Sequence, residues 1–225
     1  MHKLLTYNYI YLIPLLLSAI FSLKSFGLKW PKPYRLFSVY LIITFITEAF
    51  AISWKWYLHE TAYWNYSKSN LWVYNGFHVL RFSLFILFYY KMLHSSLTKK
   101  MIRYILIPLV CFGIINYIFI QSPHAMNNYT LILTNISCIL LSLAFFRQLL
   151  KDKIIIKLSS HPMTWISFGS FIYYSGSLPF FIFFNYLFRE HLTMAISLFY
   201  ISHALNIFMY TSYLIAFLCK PHSQK

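Results

Sequence analysis

Seven long apolar stretches, residues 4–23, 36–57, 70–93, 104–121, 129–150, 162–188 and 193–218, divide this chain, and short loops that collect the lysines and arginines separate them. A bilayer core of ~30 Å is crossed by about 20 apolar residues in helical form, so each stretch has the length of one crossing. Backbone amides inside a bilayer must be paired within the protein, and for a segment of this length that means α-helix. The expected fold is therefore all-α, a seven-transmembrane-helix bundle with residues 1–225 forming a single integral membrane domain. Hydrophobic residues make up 60% of the chain and charged residues 10%. Soluble domains carry roughly a quarter charged residues, so no soluble catalytic or DNA-binding domain is expected between the crossings.

The net charge of +15 could suggest nucleic acid. Its distribution points to the membrane instead. Threading the seven crossings places fourteen of the 19 lysines and arginines on one side: Lys24, Lys29, Lys32 and Arg35, then Lys91, Lys99, Lys100 and Arg103, then Arg147, Lys151, Lys153 and Lys157, and finally Lys220 and Lys225. Cytoplasmic loops carry such an excess. The reading is a multi-pass protein of the cell inner (cytoplasmic) membrane, N-terminus outside and C-terminus cytoplasmic. Its basic loops would face anionic headgroups, and nucleic acid is not an expected partner. One basic residue precedes the first apolar stretch and four follow it, which favours a retained helix over a cleaved signal. Cys111, Cys138 and Cys219 have neither zinc-site nor disulfide spacing.

Within 70–93, Asn75, His78 and Arg81 stand three apart and form one polar stripe on a helix. Glu48, one of four acidic residues, lies in the preceding stretch. At the helical rise, Arg81 lies about 17 Å and Glu48 about 14 Å from the outer ends of their stretches, which predicts an ion pair. His203 and Asn206 reach about 15 and 20 Å in the last stretch, and Asn135 and Ser177 fall in the same outer half. A charge at mid-bilayer costs about 2.5–3.5 kcal/mol on insertion scales, so Glu48 and Arg81 are expected to face the bundle interior. The layer either fixes helix packing alone or forms a ligand- or proton-linked site opening outward. Trp54, Trp56, Trp64 and Trp72 gather near its outer end, as an aromatic belt or as a lid. Gly169, Gly176 and Pro179 suggest a bend in 162–188. Asn65-Tyr66-Ser67 and Asn128-Tyr129-Thr130 match the glycosylation pattern.

In topology the chain resembles the microbial rhodopsins and the G-protein-coupled receptors. Retinal attachment would need a lysine in the middle of 193–218, where none stands. The seven-span zinc hydrolases pair two histidines four apart late in the chain; here no histidine stands at 207, so no metal site is expected. Through Leu71-Trp72-Val73-Tyr74-Asn75 and Ser202-His203-Ala204-Leu205-Asn206 the chain resembles small uncharacterised seven-span bacterial integral membrane proteins. Some of those accompany sensor kinases, so the resemblance implies a possible membrane signalling partner of that kind and no mechanism.

The functional expectation is a non-enzymatic, receptor-like or sensory subunit whose polar outer-half cavity takes a small or lipid-like ligand through Glu48, Asn75, His78, Arg81, His203 and Asn206. No cofactor is expected. A small membrane transporter coupling through Glu48 and Arg81 is one alternative, and a membrane-embedded lipid enzyme another.

Overall fold

Pro33 and Pro162 each stand in the first turn of a helix, where a missing N–H removes no intrahelical bond. The Ser95 hydroxyl oxygen caps another by accepting from the Thr98 N–H at 3.3 Å. In this computed structural model, which describes residues 9–58, 61–63, 69–121, 126–151 and 158–219, such signals delimit seven α-helices. They are α1 (Leu12–Ser22), tightening into a 3₁₀ turn at Leu23–Phe26, α2 (Pro33–Tyr57) and α3 (Leu71–Met92). Next come α4 (Ser96–Ile115), which passes into a π turn at Asn116–Ile120, and α5 (Asn128–Lys151). The last two are α6 (Pro162–Glu190) and α7 (Leu192–Leu218).

Six of the seven, α2 to α7, are long and apolar enough to cross a membrane by length and composition. α1 and its 3₁₀ turn together, Leu12–Phe26, are shorter, and residues 4–8 of the first predicted crossing lie outside the described residues. Also outside them are Lys3, Trp64, the Asn65-Tyr66-Ser67 pattern, Lys68, Lys153, Lys157, Lys220 and Lys225. A large boundary difference is in α4. It begins eight residues before the predicted crossing, so Lys99, Lys100 and Arg103 ride on its first turns rather than on a loop. The second glycosylation pattern does not sit on a surface loop either: Asn128 opens α5 and is buried.

Helices α1, α2 and α3 pack in succession, α5, α6 and α7 do likewise, and α7 returns to α1 while α3 meets α5, which closes a ring. α4 is left outside, against α3 and α5. Large apolar side chains such as Ile46, Ile107, Phe119, Leu140 and Met194 face outward on the helices, the surface a lipid-embedded bundle presents.

The two ends of the ring are built differently. Around the N-terminal half of α2 and the C-terminal ends of α3 and α7, buried aromatic rings fill the interior. Phe37 lies 4.8 Å from Phe88 and 5.0 Å from Tyr213 between ring centroids. Two of their polar tips are paired: the Tyr89 hydroxyl donates to Ser167 at 3.0 Å, and Ser170 and Tyr213 share a bond of 2.8 Å. Gly169 and Gly176 let α6 and α7 approach closely. A Cβ on Gly169 would lie 2.6 Å from Ser212 Cβ, and one on Gly176 2.8 Å from Leu205 Cδ1. α6 remains helical through both glycines and Pro179, and Gly169 and Gly176 stand at its close contacts with α7.

Candidate functional site

The other end of the ring encloses a cavity of about 560 Å³, within the size range of small-molecule sites. It is walled by the C-terminal half of α2, the N-terminal halves of α3, α5 and α7, and the C-terminal half of α6. Glu48, Asn75, His78, Arg81, His203 and Asn206 all line it, as does Asn135. Lys55 and Asn70 also line it, near the adjoining ends of α2 and α3. At its Arg81 end the cavity adjoins the aromatic packing, through Tyr40 stacked on Phe37.

The expected ion pair is absent. Glu48 and Arg81 border one cavity but form no salt bridge, and their hydrogen-bond partners differ. Glu48 Oε2 accepts two hydroxyl protons, from Tyr11 at 2.8 Å and from Tyr74 at 2.9 Å. Tyr74 is on the same helix as Arg81, and Tyr11 immediately precedes α1. The guanidinium of Arg81 sits over the Tyr40 ring, 5.9 Å from its centroid, and its Nη2 donates to the Tyr174 hydroxyl at a long 3.5 Å. Tyr74 and Arg81 stand two turns apart on α3; in this packing the hydroxyl of the first turns to Glu48 and the guanidinium of the second to Tyr40 and Tyr174. Nearby tyrosines win because their hydroxyls reach the carboxylate at short distance.

Both charged side chains are half-buried, and the surface left open to them is the cavity wall. A guanidinium has five N–H donors. The Tyr173 and Tyr174 hydroxyls and the Tyr40 ring engage part of that capacity, and the guanidinium borders the cavity.

His78 Nε2 stands 2.7 Å from the Thr134 hydroxyl, which itself donates to the Leu131 carbonyl at 3.0 Å. Thr134 is therefore the acceptor and His78 the donor. That arrangement orients the imidazole and does not activate the threonine as a nucleophile. His203 Nδ1 bonds the Phe199 carbonyl at 2.9 Å, and its ring meets Tyr11 edge-on at 5.4 Å. Asn75 Oδ1 accepts from the Asn127 N–H at 3.4 Å, tying α3 to the segment before α5. Asn135 donates to Ser177 at 3.4 Å, joining α5 to α6. Among the described residues, no group of three or more His, Cys, Asp or Glu is placed to hold a metal ion.

Trp54 and Trp72 pack edge to face at 5.7 Å, with Phe50 beside them, and neither they nor Trp56 line the cavity; Trp64 lies outside the described residues. Reading the sequence alone misses the two tyrosines that hold Glu48. For Tyr74 a signal exists, because 74, 78 and 81 share one helix face. For Tyr11 there is none, since only tertiary packing brings the start of α1 beside α2. Searches against protein-family models, curated proteins and solved structures return no match to this chain.

Proposed function

We propose that this chain is a seven-span protein of the cytoplasmic membrane, N-terminus outside, acting as a receptor-like or sensory subunit. Its outward-opening cavity takes a small or lipid-like ligand bearing an anionic group. The observation that carries this reading is the separation of the two charges. Glu48 is occupied by Tyr11 and Tyr74, which leaves Arg81 without a carboxylate at the base of the cavity. Arg81 binds the anionic group, Glu48 with its two tyrosines sets the orientation of the rest, and His78 and His203 supply hydrogen bonds.

The aromatic floor beneath Arg81 supports a blind pocket over a through-path, and so a receptor over a transporter. The lysine and arginine excess supports the orientation, with α1 extended towards residue 4 as the seventh crossing. Output passes to a membrane signalling partner, such as a sensor kinase, docked on the basic face.

The test is thermal unfolding of the purified protein against fatty acids, lysophospholipids and short carboxylates. A ligand at a hundred times its Kd adds about 2.7 kcal/mol, or about 5–10 °C for a chain of this size. The reading expects such a shift in the wild type and none in folded Arg81→Gln. An equal shift in both proteins, or none with any anion, would overturn it. Uptake into vesicles that is lost in Glu48→Gln would replace it with the transporter.

A further inference from the structure

A second cavity, of about 790 Å³, opens between α4 and α5 at the opposite, basic end of the bundle. Both ends of α4 are tied to the ring, and the wedge lies between the ties. At its far end Asn116 donates to Thr130 of α5 at 2.8 Å and to Gln121 at 2.9 Å, and Gly113 lies close against Val79 of α3. At the near end the tie to α5 runs through the α3–α4 turn and not through the first turns of α4, where Leu97, Met101 and Ile105 stay exposed.

The walls of this wedge are apolar and its mouth is basic. Ile102, Ile105, Leu140, Leu141 and Ala144 form the walls; Arg147 and Lys151, one turn apart on α5, stand at the mouth with Ser95 and Thr98 of α4. A brace holds the mouth open. The His94 N–H donates to Gln148 Oε1 at 2.8 Å, and the same amide meets His94 Nδ1 at 2.9 Å, fixing the α3–α4 turn to α5. In the sequence the ends of α3, α4 and α5 bring Lys91, Lys99, Lys100, Arg103, Arg147 and Lys151 to this side, and Asp152 is the one acidic residue nearby.

We propose that this wedge binds one anionic phospholipid, its phosphate held by Arg147 and Lys151 and an acyl chain lying along Ile102, Ile105, Leu140 and Leu141. Charge selects the occupant. A neutral lipid would fill the apolar walls equally well but leave both cations at the mouth without a partner, and basic pockets between membrane helices on the cytoplasmic side are suited to anionic headgroups. An unfilled wedge would forfeit the dispersion contacts of its walls, so a chain from the bilayer fills it. The proposal is independent of what the first cavity binds.

Native mass spectrometry of the detergent-purified protein, titrated with phosphatidylglycerol or with phosphatidylcholine of the same chains, tests it. The wild type is expected to retain one phosphatidylglycerol in preference to phosphatidylcholine. R147Q/K151Q should weaken that retention about thirty-fold, at the affinity ordinarily carried by two cations near a membrane surface. Leu140→Trp, which fills the wedge from an exposed position, should abolish it, and K24Q/K29Q, on the same basic face, should leave it unchanged. Equal retention of the two lipids, or equal loss in the K24Q/K29Q control, would overturn the proposal. So would equal stabilisation by inorganic phosphate alone, or a lipid-free dimer that dissociates in Leu140→Trp, which would make a second copy the occupant.

Discussion

Glu48→Gln is the sharpest probe of the cavity, because the two tyrosines donate to the same carboxylate oxygen. The amide keeps one carbonyl oxygen in that place, so both hydrogen bonds survive but lose their charge. A bond to a charged group contributes about 1.5–3 kcal/mol and a neutral one about 0.5–1.5, so each tyrosine loses about 1 kcal/mol. The total change in stability also contains the relief of burying a charge, and its sign does not isolate the bonds. Double-mutant cycles do. Tyr11→Phe with Glu48→Gln, and Tyr74→Phe with Glu48→Gln, should each give a coupling of about 1 kcal/mol, measured by unfolding in mixed micelles of rising SDS content. Arg81→Gln with Glu48→Gln should give a smaller one, since no salt bridge joins them. A coupling of about 3 kcal/mol between Arg81 and Glu48, the size expected of a buried ion pair, with tyrosine couplings near zero, would refute this description.

In the same unfolding assay, Gly169→Ala should cost about 1–3 kcal/mol, because its Cβ would overlap Ser212. Adding Ser212→Gly should recover only part of the loss, as the Met209 carbonyl 3.3 Å away stays in place. Gly76→Ala meets nothing within 4 Å and should be neutral or stabilising by up to about 1 kcal/mol; a cost equal to that at Gly169 would count against the α6–α7 seam. For orientation, Lys55→Cys in a cysteine-free background should react with an impermeant maleimide in intact cells, and Lys100→Cys only after permeabilisation. The reverse pattern would invert the topology.

The sequence by itself determined where helices form, because a bilayer accepts few other solutions and about 20 apolar residues are the cost of each crossing. It also determined depth. The rise along a helix is constant, so counting residues from each end was enough to bring Glu48, Asn75, His78, Arg81, His203 and Asn206 to one half of the bundle, and all six line one cavity. Partnership was not legible in this way. Which hydroxyl reaches Glu48 depends on how each helix is rotated and which neighbour it meets, and matching depths of opposite charges predicted a pair that the packing divides between two sets of tyrosines. The same holds for α4. Its apolar stretch looks like the others, but only the three-dimensional contacts leave it outside the ring, tied at Asn116 and Gly113 and through His94 and Gln148, with a wedge between. Residue depth follows from local geometry, whereas contact is a property of the whole packed bundle, where a fraction of a turn decides which side chains meet.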